Sequence, residues 1–560
     1  MPQPLIVQGD NSILLDVHDD EASEARNSIA PFAELEKSPE HFHTYRISPL
    51  SLWNAAAAGL TREEVLERLR RYSRFPLPGN VQHSIGELIG RYGRLRLEPT
   101  DEDYTLRLVV PDEDIRQELR SRKNLARYLR EEEDFQSHPD SFLLPLLDRG
   151  TVKQELIRLG YPVDDRVPLA PGDPLEFSLQ EKTRAGAPFL LRDYQKEAAR
   201  TFHGGGDPGT GYGVVVLPCG AGKTVVGIET MHLLQTNTLI LTTNVAAVHQ
   251  WIDELLDKTT LGEDQIGEYS GTRKDVLPVT VATYQILVWR RDRESPFPHF
   301  DIFRRRRWGL IIYDEVHLLP APIFRVTAEI QAVRRLGLTA TLIREDQCET
   351  DVFSLVGPKR YDVPWKELEQ KGWIAEATCY EIRLDLPREL RTEYAVADKR
   401  RKYRLAAENH RKIEAARQII ENHPGEAILV IGQYLEQLKK LAHHLEAPLI
   451  TGSVPNHRRE EIYQDFRQGS LPVIVVSKVA NFAIDLPNAS VAIQVSGSFG
   501  SRQEEAQRLG RILRPSPGEH HNSTFYTLVS NHTVEEEFAA NRQKFLAEQG
   551  YTYHIEHWTD

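Results

Sequence analysis

The chain has 560 residues, too many for a single hydrophobic core and enough for roughly three or four domains. Its 69 Lys+Arg against 82 Asp+Glu give a net charge of −13, which excludes nucleic-acid binding by bulk charge and leaves only local basic strips for that purpose. Three widely spaced cysteines, Cys219, Cys348 and Cys379, make neither a disulfide framework nor a metal set; with no signal-type start and no apolar run near about 18 residues, the reading is a cytoplasmic protein away from membranes.

In chain order, residues 1–40 are acidic and read as an irregular arm. Residues 41–97 read as a helical domain: Ser48 to Gly59 closes on a glycine suited to a helix C-cap, and Thr61 to Glu64 is a capping box whose helix puts Val65, Leu66 and Leu69 on one face. Residues 98–185 read as a small α+β connector, with a strand near 104–110 and proline-rich turns. From 186 to 365, apolar strands alternate with amphipathic helices, the signature of a parallel sheet covered on both faces. The strands are expected at 214–217, 238–241, 279–282, 310–313 and 336–339. A second α/β domain of similar build occupies 366–545, with strands near 428–431, 449–450, 473–476 and 491–494, and residues 546–560 form a tail. A polar helical insert is expected from about 365 to 415.

The chemistry is carried by strand ends. Val214 to Leu217 runs into Pro218-Cys219-Gly220-Ala221-Gly222-Lys223-Thr224, a loop whose N–H groups can cradle phosphates at the start of a helix. Lys223 would reach the β/γ oxygens and Thr224 would ligate magnesium, so ATP and Mg2+ are the expected cofactors; Leu217 stands where the usual first glycine would be. Farther on, Ile311-Ile312-Tyr313 ends in Asp314-Glu315-Val316-His317, where Asp314 can meet the metal and Glu315 can polarise the attacking water. Thr339 and Thr341, at the end of the next strand, can bond the acids and report the state of the γ-phosphate. In Gln507-Arg508-Leu509-Gly510-Arg511-Ile512-Leu513-Arg514, Arg511 and Arg514 share a helical face and can enter one anionic site as arginine fingers. Cys219, beside a lysine and near a helix start, is either a small filler or a reactive thiol.

Together these segments resemble the ordered motifs of superfamily 2 helicases and, more narrowly, the XPB family of DNA repair and transcription helicases, as a prokaryotic-type member. The resemblance also covers the helical unit from Ser48 to Leu97, Leu336 to Asp346, Ser501 to Arg514 and the segment from Phe525 to Tyr553. It implies two RecA-like lobes, ATP hydrolysis coupled to 3′ to 5′ movement on forked, bubble or damaged DNA, and a monomer; a nuclease partner and duplex translocation without strand separation stay open. By the same resemblance, Arg192 and Gln195 contact adenine, Gln507 belongs to the nucleotide site and His317 to the coupling set. Arg344-Glu345-Asp346 matches the family's Arg-Glu-Asp motif for duplex DNA. The insert at about 385–412, with Lys399, Arg400 and Arg401, matches its thumb-like projection, where Tyr394 and Tyr403 could stack on bases. Thr243, Thr283, Ser477 and Lys478, at predicted strand ends, are the expected contacts to the DNA backbone.

Overall fold

A computed structural model describes residues 3–37, 41–102, 104–131, 140–207, 209–218, 220–292, 297–320, 322–323, 327, 330, 333–340, 349–363, 368, 377–477, 489–496, 523–537, 539–540, 543 and 552–558. The chain divides into two compact units, one of residues 1–34, 44–217 and 222–363, the other of residues 35–43, 218–221 and 364–560. Among the described residues no helix is long and apolar enough to cross a membrane.

The first residues correct the expectation of an irregular arm. Strands β1 (Leu5–Val7) and β2 (Ser12–Asp16) pair antiparallel, a helix spans Ala22–Ile29, and strands β3 (Glu34–Lys37) and β4 (Phe42–Arg46) follow. Leu5, Ile13 and Leu15 are fully buried, whereas Asp10 sits in the tight turn and accepts a hydrogen bond from the Ser12 N–H. Part of the acidity, Asp10 and Asp19 to Glu21, lies in the turns between these elements. Three helices follow as expected, Pro49–Ala57, Arg62–Tyr72 and Gly79–Ile89; the second is opened by the reciprocal Thr61 and Glu64 capping box.

The connector is built on a five-stranded sheet in the order β7-β8-β6-β5-β9, made of β5 (Leu95–Pro99), β6 (Thr105–Val109), β7 (Arg130–Glu131), β8 (Ser141–Pro145) and β9 (Val163–Asp165). Helices Glu113–Ser121 and Arg149–Arg158 close its core around Leu97, Leu108, Leu119, Phe142 and Leu156. At one end of this module Arg149, Lys153 and Asp165 are buried together. Arg149 grips the Asp165 carboxylate through Nε and Nη2 at 2.9 and 2.7 Å, and Lys153 Nζ donates to it at 2.9 Å.

The largest sheet of this unit has seven strands in the order β12-β13-β11-β14-β15-β10-β16, every pairing parallel. They are β10 (Tyr212–Val216), β11 (Thr238–Thr242), β12 (Ile266–Tyr269), β13 (Val279–Thr283), β14 (Leu310–Asp314), β15 (Arg334–Thr339) and β16 (Lys359–Asp362). Five match the apolar runs read from sequence. The edge strands β12 and β16 were missed, because Ile-Gly-Glu-Tyr and Lys-Arg-Tyr-Asp lack a continuous apolar face. The connector is fastened to this sheet. Tyr212 OH donates to the Asp165 carbonyl at 2.9 Å and Gln154 donates to Asp351 at 3.0 Å; within the sheet, the Arg335 guanidinium lies 5.4 Å from the Tyr212 ring. The helical domain is tied in as well, since Asn54 Oδ1 accepts from the Lys359 N–H at 2.9 Å.

The second unit carries another seven-stranded parallel sheet in the order β19-β20-β18-β21-β22-β17-β23. Its strands are β17 (Ala377–Leu384), β18 (Ile428–Gly432), β19 (Leu449–Ile450), β20 (Val473–Ser477), β21 (Val491–Gln494), β22 (Ser523–Ser530) and β23 (Thr552–His557). β17 corrects the purely helical reading of 365–415: an eight-residue strand lies there, between β22 and β23. The insert proper is a helical pair, Arg388–Val396 and Lys399–Ala407.

Candidate functional site

A parallel sheet presents the C-terminal ends of all its strands along one rim, so the ends of β10, β15 and β14 lie side by side. Their register is shared: Val216 stands opposite Thr339, and Leu338 opposite Asp314. Thr339 is therefore placed between the loop after β10 and the acids after β14, and its carbonyl accepts from the Leu217 N–H at 2.9 Å.

After β10 the chain turns through Gly222, at φ 78 and ψ 47, and a helix spans Lys223–Leu234. A β-carbon on Gly222 would also sit 2.6 Å from Gln195 Nε2, so glycine is needed for conformation and for room. Gln195 is buried, and its Oε1 accepts from the Arg192 N–H at 3.0 Å; this fixes the start of helix Asp193–His203 against the loop. The first turn of helix Lys223–Leu234 has N–H groups that no helical carbonyl can satisfy, which is what a phosphate-binding helix start supplies. Thr224 is half-buried in that turn.

Lys223 Nζ lies 3.0 Å from Glu315 Oε1, with both side chains largely buried. Glu315 Oε2 is 3.5 Å from His317 Nδ1, and that nitrogen shares a 2.6 Å hydrogen bond with Thr339 Oγ1. Lysine, glutamate, histidine and threonine thus form one chain of polar contacts across three strand ends. Glu315 reaches it from the left-handed backbone region, φ 49 and ψ 55.

Asp314 is held from two sides that sequence reasoning missed. Trp251 Nε1 donates to Asp314 Oδ2 at 2.9 Å, and Tyr284 OH donates to the Asp314 carbonyl at 2.8 Å. Trp251 belongs to helix Val245–Lys258, which follows β11, the immediate neighbour of β14. Its ring packs on Gly227, where a β-carbon would meet it at 2.5 Å. A tryptophan in an amphipathic helix reads as core. The signal that could have found it is that a buried indole N–H needs an acceptor, and the adjacent strand ends in a carboxylate. Burial, reinforced by the Glu315 charge, pushes the Asp314 carboxyl above the usual carboxylate range; the Trp251 hydrogen bond and Lys223 oppose it.

Of the expected DNA contacts, Thr243 is half-buried in the loop after β11, where its Oγ1 accepts from Asn244 Nδ2 at 3.2 Å. Thr283 is buried and caps the short helix Tyr284–Leu287 by accepting from the Ile286 N–H, so its side chain is not offered to a strand of DNA. Ser477 is likewise buried at the end of β20. In the helical insert, Lys399 and Arg400 are exposed, while Arg401 is engaged by Glu393 at 2.6 Å. Stacking by both tyrosines is not met: Tyr403 is buried, and Tyr394 OH accepts from the Val534 N–H. Cys219, Thr341, Arg344, Glu345, Asp346, Lys478, Gln507, Arg511 and Arg514 lie outside the described residues.

The Gly-Lys-Thr helix start, the Asp-Glu pair two strands away and the threonine between them define a nucleoside-triphosphatase lobe of the helicase class. Three family models match: "ERCC3/RAD25/XPB C-terminal helicase" at residues 368–559, "Type III restriction enzyme, res subunit" at 188–344, and "Helicase conserved C-terminal domain" at 5–134. The protein named DNA 3'-5' helicase XPB from Kineococcus radiotolerans is 51% identical over 553 residues, 99% of this chain and 96% of its own. The protein of the same name from Mycobacterium tuberculosis is 50% identical over 552 residues, covering 99% and 97%. The general transcription and DNA repair factor IIH helicase/translocase subunit XPB of Encephalitozoon cuniculi is 32% identical over 570 residues, covering 99% and 82%. The chain belongs to the XPB family.

Proposed function

We infer that this chain is an ATP-dependent DNA helicase that moves 3′ to 5′ and serves DNA repair. The structural observation that carries the reading is the Lys223–Glu315 pair set beside an Asp314 carboxylate anchored by Trp251. The names of the two bacterial relatives, each about half identical over almost the whole chain, support the DNA polarity.

The residues fit Mg2+–ATP: a glycine-turned helix start for phosphates, a hydroxyl in its first turn, and a half-buried carboxylate across the rim. When bound, Mg2+–ATP supplies the phosphoryl group and the metal charge that neutralises it. Lys223, paired with Glu315 at 3.0 Å, would hold the phosphate oxygens, and Glu315 would accept a proton from the attacking water. Asp314 and Thr224 would hold the metal. Arg192 and Gln195 would contact the adenine, and His317 with Thr339 links Glu315 to β15. Arg511 and Arg514, with Gln507, are assigned to the γ-phosphate side. DNA contacts fall to Thr243, Lys399, Arg400, Lys478 and the Arg344-Glu345-Asp346 segment.

Lys223→Ala and Glu315→Gln are each expected to lower DNA-stimulated ATP hydrolysis by about 10³ or more. Wild-type turnover in either variant overturns the assignment. The Encephalitozoon relative is named a helicase/translocase subunit, which favours a second reading, duplex translocation without strand separation. Fork unwinding measured beside triplex displacement separates them: displacement without unwinding assigns the second.

A further inference from the structure

At the edge of the motor sheet, on the same rim as Asp314, the ends of β12 and β13 carry a group of rings and cations outside the nucleotide site. Trp289 follows the short helix Tyr284–Leu287 directly off β13, and it is 54% exposed. Its ring is 6.0 Å from that of His299, tilted by 54°. His299 is pinned from below, because its Nδ1 shares a 2.8 Å hydrogen bond with the hydroxyl of Tyr269, the buried last residue of β12. Lys274 Nζ and the Arg305 guanidinium lie 5.3 and 5.8 Å from the Tyr269 ring centre. Burial, then the Lys274 charge, holds the His299 imidazole below its ordinary value, which favours the uncharged ring.

The charge around Trp289 runs against that of the whole chain. Segments 271–275, 289–292 and 299–305 carry six arginines and lysines against three aspartates, in a protein of net charge −13. Arg273, Lys274, Arg290 and Arg291 are all exposed. An exposed indole face backed by a fixed ring and bordered by cations matches a ligand with alternating flat rings and negative charges. A single nucleic-acid strand is such a ligand; a folded duplex hides its ring faces in the stack. The position agrees, since β13 is the immediate neighbour of β11, whose end carries Thr243.

We propose that Trp289, braced by His299 and flanked by Lys274, Arg290 and Arg291, is a stacking platform for an unpaired base of single-stranded DNA. The platform rests on the DNA reading above and names where an unpaired strand meets the first unit. Every base has a π-face, so the site takes any sequence.

The test uses the full chain and a thymidine oligonucleotide, with an abasic oligonucleotide of equal length as control. Trp289→Ala is expected to weaken binding of the thymidine strand roughly fivefold to tenfold, Trp289→Phe to restore most of the loss, and the abasic strand to bind both variants as it binds the wild type. Hydrolysis without DNA stays at the wild-type level in both variants. Equal affinity of Trp289→Ala and wild type for the thymidine strand overturns the platform and returns Trp289 to a protein contact. Equal losses on both strands also overturn it, because the residue would then act through the backbone or the fold. A wild type whose hydrolysis DNA does not stimulate sinks the helicase reading itself, and this is seen before any variant is measured.

Discussion

Glu315 occupies a backbone conformation that costs a non-glycine residue on the order of 1 kcal/mol or more, and it does so directly after a strand whose first four residues are buried. That turn brings its carboxylate to Lys223 and His317 while Asp314, one residue earlier, faces Trp251. Two adjacent acids are thus given separate partners and separate tasks. Trp251 is a positioning residue in this scheme. Trp251→Phe removes the indole N–H together with the outer ring edge that packs on Gly227, so some stability is lost and kcat is expected to fall about tenfold, roughly the worth of a hydrogen bond to a charged group. The ATP KM should be little changed, and the Mg2+ concentration needed for half-maximal binding of nucleotide should rise. Loss of thermal stability with unchanged kcat and Mg2+ dependence would show that the indole only packs. Residues of this kind were not legible in the sequence. Lys223, Asp314 and Thr339 announce themselves at the ends of apolar runs, whereas the donor that fixes Asp314 lies 63 positions away and looks like any core aromatic.

Among elements, legibility followed burial. β10, β11, β13, β14 and β15 are enclosed by neighbours, and their runs of Val, Ile and Leu could be read directly. β17 was hidden because its sequence, Ala-Thr-Cys-Tyr-Glu-Ile-Arg-Leu, alternates polar and apolar residues in a polar stretch, and its partners β22 and β23 come more than a hundred residues later. Glu381 is fully buried there and accepts from Arg383 and Tyr553, partners that no single local window brings together. The N-terminal strands were hidden by averaging, as acidic turn residues diluted two short alternating runs. The insert was recognised as helical, but its cations are not equivalent. Replacing Lys399 and Arg400 together by alanine should weaken DNA binding and lower the slope of log affinity against log salt by up to about 2, roughly one unit for each phosphate that is no longer neutralised. Arg401→Ala should leave the slope nearly unchanged, because Glu393 already neutralises that guanidinium. Equal slopes in the double variant and wild type would remove the insert from the DNA path.

At the scale of the molecule, the first unit depends on one buried carboxylate. Asp165 faces Arg149 and Lys153, with Arg335 of β15 also buried nearby. Burial opposes its ionisation, yet the Arg149 and Lys153 charges win and hold its carboxyl below the usual range. Lys153 shifts down too, to about 8, because burial and repulsion from Arg335 and Arg149 outweigh its attraction to Asp165. The pair therefore does not share its stabilisation evenly, and the carboxylate is the indispensable member. Asp165→Asn leaves buried cations without a counter-charge and is expected to lower stability by about 3–5 kcal/mol at neutral pH. Since the folded state holds a proton on Asp165 less tightly than the unfolded chain, its contribution is complete above the ordinary value near 4 and fades as pH falls below it. Denaturant melts at pH 7 and pH 3 test this: the gap between wild type and variant should narrow in acid. A gap independent of pH would mean that packing, and not the ionised carboxylate, holds the site.

The fastening of Tyr212 to the connector, and of Lys359 to Asn54, with Arg335 buried beside Tyr212 and near Asp165, has a practical side. Tyr212 begins the strand that leads to Lys223, and Arg335 lies on the strand that ends in Thr339. The first motor lobe is therefore not an interchangeable cassette. A chimera that joins residues 186–363 to the front half of another helicase would carry Lys223, Asp314, Glu315 and Thr339 with it and still leave a buried tyrosine and arginine facing a foreign surface. Such grafts should take only when the donor front half brings its own equivalent of Asp165 and Arg149.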